Sequence, residues 1–211
     1  WETAMRPACR HLAAIDDLAD RPHDVDLLLD QNLGRRASDY AHLLPPHARR
    51  LVGPAFALLR PAFAAARSAS LARRAGARGW RQLLVSLGGA DPQQATLRVL
   101  QALAACPLPA GCTVTVVLGA LAHTRAAVQD LLPALPCAAR LLVDVADMAP
   151  LLADADLAIG AAGGSAWERC CLGLPSLVVS LADNQRPACA VLAADGVIRY
   201  LGHYDQVNVP L

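Results

Sequence analysis

From residue 83 onward the apolar residues fall in short runs, each closed by glycine or polar positions. They are LLVSL (83–87), TVTVVLG (113–119), RLLVDV (140–145), DLAIG (156–160), SLVVS (176–180) and VIRYLG (197–202). Short apolar runs of this kind predict strands buried on both faces, as in a parallel sheet. Between them the spacing turns helical: Leu97, Leu100 and Leu103 within QQATLRVLQALAA, then TRAAVQDLL (124–132), MAPLLADA (148–155), SAWERCCLG (165–173) and 187–194. Asp91 is placed to N-cap the first of these helices, with Pro92 as its first residue. Gly173, with Pro175 two residues on, ends the fourth. Strand and helix alternating through short connections predict an α/β fold wound around a parallel sheet.

The first 60 residues carry three further strand signals, around 12–15, 25–29 and 50–53. From Ala55 to Gly79 the chain becomes rich in Ala and Arg, with Pro54 just before this stretch and Pro61 within it, and offers no strand. We read it as a crossover helix and linker between two α/β lobes. The domain expectation is therefore 1–59 as the end of a first lobe, 60–79 as the crossover, and 80–211 as a second lobe.

Composition narrows this only slightly. With 55% hydrophobic and 18% charged residues the chain is globular in character. A net charge of +1 gives no global argument for nucleic acid or a membrane surface as partner. Lysine is absent, so every basic charge is Arg, which reads first as genomic composition bias. No apolar run approaches the ~18 residues of a membrane-spanning helix, and no basic-then-apolar leader follows Trp1. Cysteines stand at 9, 106, 112, 137, 170, 171 and 189; an odd count with one adjacent pair and no C-x-x-C suggests neither a disulfide framework nor a zinc site. Reduced thiols in a cytoplasmic protein fit better.

The candidate chemistry lies where strands run into helices, since free N–H groups at helix starts are ready for anions. Gly88-Gly89 follow one strand, and Gly163-Gly164-Ser165 follow another. Neither turn matches a P-loop or a G-x-G-x-x-G fingerprint. Two readings stay open for Ser165-Ala-Trp-Glu168: a capping box, with Ser at the N-cap and Glu at N3, or a carboxylate offered to the two hydroxyls of a ribose. Trp167, Cys170 and Cys171 read as packing. Asp183-Asn184-Gln185-Arg186 are either a solvated loop or a hydrogen-bonding set facing the same crevice. The acidic run Asp16, Asp17, Asp20, Asp24, Asp26 and Asp30, with His23, has no calcium-loop spacing and suits turns and caps.

Taken together, IDDLADRPHDVDLLLDQNLGR (15–35), GPAFALLRPAF (53–63), LLVSLGGADPQQATLRVLQAL (83–103) and DMAPLLADADLAIGAAGGSAWERCCLGLPSLVVSLADNQ (147–185) resemble the UDP-2,4-diacetamido-2,4,6-trideoxy-β-L-altropyranose hydrolases of pseudaminic acid biosynthesis. Their broader relatives are the GT-B glycosyltransferases. The resemblance implies two Rossmann-like lobes with parallel sheets, the first incomplete here, and a UDP-sugar as substrate without metal or cofactor. It implies that Glu168 holds the uridine ribose, that Gly163, Gly164 and Ser165 face the pyrophosphate with Gly88 and Gly89 opposite, and that backbone around Met148 reads the uracil. Asn184 and Gln185 are implied in sugar contact. The family's catalytic histidine lies in a G-x-G-H turn early in the first lobe. No such turn occurs here, so the resemblance puts that residue upstream of Trp1. With QVNVPL (206–211) stopping where a further helix is due, the chain reads as a fragment that binds nucleotide weakly and does not turn over.

Overall fold

The computed structural model describes residues 1–76 and 79–207. Residues 77–78 of the expected linker and 208–211 of the C-terminal stretch lie outside it. The chain divides into two compact units, Trp1–Leu58 and Leu59–Leu211.

The smaller unit opens with a short helix, α1 (Glu2–Met5), and holds three parallel strands, β1 (Ala13–Ile15), β2 (Leu27–Asp30) and β3 (Arg49–Val52), in the order β1-β2-β3. Val25, Leu28, Tyr40 and Leu44 form its core. Several carboxylates of the acidic run accept from donors within this unit, one local and the others distant in sequence. The Asp16 carboxylate accepts from the Ala19 amide (2.8 Å), and that of Asp26 from the Leu12 amide (2.7 Å) and Arg6 (2.7 Å). The Tyr40 hydroxyl lies 2.9 Å from Asp16 and 2.8 Å from Asp30, bridging two buried carboxylates. His23, also buried, contacts Glu2 at 2.7 Å. Asp16 does the turn work expected of the run, whereas Asp26 and the Tyr40 bridge tie together segments 10 to 24 residues apart, which the spacing did not suggest.

The larger unit is built on six parallel strands: β4 (Gln82–Ser86), β5 (Thr113–Leu118), β6 (Ala138–Val143), β7 (Leu157–Ala161), β8 (Ser176–Ser180) and β9 (Arg199–His203). Their order in the sheet is β6-β5-β4-β7-β8-β9. The helices are α2 (Pro61–Ala75), α3 (Ala95–Ala104), α4 (Arg125–Leu131), α5 (Ala149–Asp154), α6 (Gly164–Cys171) and α7 (Gln185–Ala194). Strand alternation divides the core between the two sheet faces. Leu83 and Val85 join Val99, Leu100 and Val128 on one side, whereas Leu84 joins Phe63, Leu152 and Leu172 on the other.

Helix starts shift by a few residues at most from the sequence reading, and at α3 and α6 the shift changes the cap. α3 begins at Ala95, with Gln94 in the left-handed region as its N-cap, and Pro92 lies in a turn ahead of it. Asp91 still caps, at longer range: its buried carboxylate accepts from the Ala95 amide at 2.9 Å and from Thr96. The extra turn brings this carboxylate to the first two amides of the helix. The Ser165–Glu168 capping box does not form. The N-cap of α6 is Gly163, two residues ahead of Ser165, at φ +111° with no side-chain bond, and Ser165 lies inside the helix. Only glycine holds that backbone angle without strain.

The Arg-rich segment has a specific structural use. α2 packs on α5 and α6, where helix ends leave carbonyls without intrahelical donors. Arg74 donates to the carbonyls of Leu152 (2.8 Å), Ala153 (3.1 Å) and Ala155 (2.7 Å). Arg73 donates to Asp154 O and pairs with the Asp156 carboxylate, and Arg67 and Ser70 serve Cys171 O and Leu172 O. Lysine has no planar fork to span several carbonyls in this way.

Candidate functional site

The strand order fixes where a ligand can sit. Chain connections leave β4 toward β5 and leave β7 toward β8, so the sheet reverses direction between β4 and β7. Beyond the carboxyl ends of those two strands the helices diverge to opposite faces and leave a crevice, the usual ligand position in open α/β sheets. A cavity of about 250 Å³ occupies it. Ser86, Gly88 and Gly89 line it after β4, Gly119 after β5, Asp144, Val145 and Met148 after β6, and Ser165, Glu168 and Arg169 from α6.

Each wall has a local cause. Gly88 takes φ +100°, a conformation that side chains rarely adopt. Gly119 is demanded by contact instead: its amide donates to Gly89 O at 2.9 Å, and a Cβ there would stand 2.5 Å from that same oxygen. The turns after β4 and β5 are thus pressed backbone to backbone. At the start of α6 the Gly164 and Ser165 amides have no intrahelical acceptor; of the two residues Ser165 lines the cavity, and the positive end of the helix dipole lies on this side.

Glu168 is half-buried on this wall and makes no side-chain hydrogen bond among the described residues. Burial lifts its carboxyl above the ordinary glutamate range, partly offset by the nearby Arg60 and Arg169. Met148 lines the cavity as the N-cap of α5. Gly163, Gly164, Asn184 and Gln185 are not among the lining residues. Gly163 sets the backbone entry to α6. Asn184 is the N-cap residue of α7, and the Gln185 side chain turns back to accept from the Leu181 amide at 2.8 Å. Asp183 and Arg186 pair with each other at 3.0 Å.

The lining includes residues with no distinctive sequence signal: Gly119, Asp144 and Arg169. For Arg169 one trace was available, the glycine that interrupts the apolar strand LAIG nine residues earlier. Elsewhere, Ser180 and His203 meet at 3.0 Å, with the Tyr200 hydroxyl 2.7 Å from Ser180. That serine is fully buried at the end of β8 and does not line the cavity. Among the described residues no group of three or more His, Cys, Asp or Glu is arranged to hold a metal ion, and no helix is long and apolar enough to cross a membrane.

No family model matches the chain. Over 122 residues it is 34% identical to the spore coat polysaccharide biosynthesis protein SpsG of Bacillus subtilis strain 168. That match takes in 58% of this chain and 36% of SpsG, so the chain spans about a third of its curated relative. Among solved structures it is similar to MurG of Acinetobacter baumannii, with a TM-score of 0.64 and 17% identity over 98% of this chain and 65% of MurG. It is also similar to WaaG, a glycosyltransferase involved in lipopolysaccharide biosynthesis, with a TM-score of 0.53 and 14% identity over 98% of this chain and 69% of WaaG. At such identities the likeness concerns fold alone, and the fold is α/β with parallel sheets, of the GT-B type.

Proposed function

We propose that the larger unit is the nucleotide-gripping lobe of an enzyme acting on a UDP-sugar, and that this enzyme hydrolyses a UDP-linked diacetamido-trideoxy hexose at its anomeric carbon. One observation carries the reading. Glu168, a half-buried carboxylate with no hydrogen-bond partner among the described residues, stands beside the free amides of α6 in the crevice between β4 and β7. A carboxylate accepts from two adjacent hydroxyls, and bare amides at a helix start donate to phosphate oxygens. Separated by one turn of α6, the two suit the ribose and pyrophosphate of one nucleotide. The relationship to a polysaccharide biosynthesis protein supports a sugar substrate.

In the reaction proposed, water attacks the anomeric carbon and loses a proton to a general base, in resembling enzymes the histidine of the G-x-G-H turn. The bond from that carbon to the β-phosphate oxygen breaks, and UDP carries away the electron pair. The amides of Gly164 and Ser165 and the dipole of α6 stabilise the charge that accumulates on the departing phosphate. Met148 and the backbone beside it would form the uracil end, and Asn184 and Gln185 would face the sugar.

Titration of the chain with UDP tests the nucleotide assignment. Glu168→Ala should weaken binding by about tenfold or more, as expected for a lost charge-assisted hydrogen bond; unchanged affinity would reject the ribose role. Incubating the full gene product with the UDP-sugar and no acceptor tests the reaction. UDP released together with free sugar supports hydrolysis, whereas release that waits for an acceptor hydroxyl assigns glycosyl transfer.

A further inference from the structure

We infer that Arg169 is the positioning residue of this pocket's anion-binding turn, and that the phosphates of a bound nucleoside diphosphate supply the counter-charge its buried guanidinium lacks. The inference rests on the nucleotide reading and adds to it the source of the site's positive charge. Arg169 is 3% exposed, yet it lines the cavity. Its Nη2 donates to Ala161 O at 2.7 Å and its Nη1 to Ser165 Oγ at 3.2 Å, while Nε has no partner. Among the described residues no carboxylate comes within ion-pair distance of it. Glu168 attracts it only from beyond ion-pair distance, and the nearby Cys170 and Cys189 do not balance it, because burial raises both thiols and keeps them protonated.

Burying an unpaired cation opposes folding, and the chain makes a second concession to keep it. A Cβ at Gly160, inside β7, would stand 2.5 Å from Nη1 and 2.7 Å from Cζ, so the strand carries glycine where the guanidinium passes. Glycine weakens a strand interior. Both concessions serve the five-residue turn Ala161–Ser165, which Arg169 pins at each end. Since Ser165 Oγ accepts from Arg169, its own O–H remains free to donate into the cavity that Ser165 lines. The guanidinium thus sets the turn, aims a hydroxyl and adds a full positive charge behind the amides of α6.

The test compares UDP, uridine and inorganic pyrophosphate as calorimetric probes of the wild-type chain and three variants, with a thermal melt of each. Arg169→Met should weaken UDP and pyrophosphate by about tenfold or more and leave uridine nearly unchanged; Arg169→Lys should keep part of the difference. Gly160→Ala retains the arginine but displaces its flexible end, and should lower UDP affinity in the same sense even if Arg169→Met fails to fold. Equal loss of uridine and UDP in Arg169→Met and Gly160→Ala would overturn the inference, leaving Arg169 a packing residue. A wild-type chain that binds pyrophosphate but neither uridine nor UDP would reject the nucleotide reading and retain the anion site; one that binds none of the three rejects both.

Discussion

At Glu168, burial lifts the carboxyl while Arg60 and Arg169 pull it down, and burial wins. An acid whose folded value is raised binds more protons folded than unfolded, so stability rises as pH falls through that folded value. Ribose binding has the opposite sign, because the ionised carboxylate is the acceptor. UDP affinity should therefore begin to fall on acidification at a pH above the ordinary glutamate range, and calorimetry across pH 4–7 should find this slope absent in Glu168→Gln. The same variant should melt slightly higher than wild type at neutral pH while binding UDP less well. Gly119 offers a separate check on the opposite wall: Gly119→Ala forces a Cβ against Gly89 backbone that no rotamer can relieve, and should cost about 1–3 kcal/mol in urea denaturation along with UDP affinity. Gly88, Gly89, Ser165 and Glu168 could be singled out because glycines and polar groups at strand-to-helix turns have recognisable chemistry, whereas Met148 came only from the family resemblance. Arg169 was not, since its meaning depends on a glycine in the neighbouring strand making room for it. Whether Ser165 and Glu168 cap a helix was likewise undecidable from spacing, because the box holds only with Ser165 as N-cap and α6 is capped two residues earlier, at Gly163.

Among the elements, α2 shows best how side-chain use eludes a pattern reading. Its Ala/Arg composition lacks a conspicuous apolar stripe, and only Phe63 and Ser70 of the helix are buried. Its docking depends on arginine forks reaching carbonyl oxygens at the ends of α5 and α6, acceptors that exist only once those helices have formed. Arg74→Ala removes the donors to three such carbonyls and should destabilise the larger unit by about 1.5–3 kcal/mol in urea denaturation. Arg74→Lys should recover only part, a point charge replacing a fork. The central strands β4, β5, β7 and β8 by contrast were readable to within a few residues, since their burial favours runs of Val, Leu, Ile and Ala.

For the whole molecule, the two units differ in what holds their polar groups. In the smaller one Glu2, Asp16 and Asp26 all sit below the ordinary carboxyl range. For Asp16 burial pushes upward but is outweighed by the Ala19 amide and the Tyr40 hydroxyl; for Asp26 the Leu12 amide and Arg6 lead. Depressed carboxyls lend stability that is present above their unfolded values and is lost as pH falls through the folded ones. Amide hydrogen exchange in β1–β3 should thus accelerate as pH drops below about 4, after correction for intrinsic rates. The order of strands in the larger sheet also has a consequence for how the chain is made. β4 and β7 lie side by side, yet 71 residues separate Ser86 from Leu157. At ~5–20 residues per second, a ribosome needs roughly 4–14 s to deliver the second partner. During that interval β4 can pair only with β5, and its apolar LLVS edge remains open to other nascent chains. Slower translation through α3–α6 should lengthen the exposure and lower soluble yield, a cost written into the winding of the sheet.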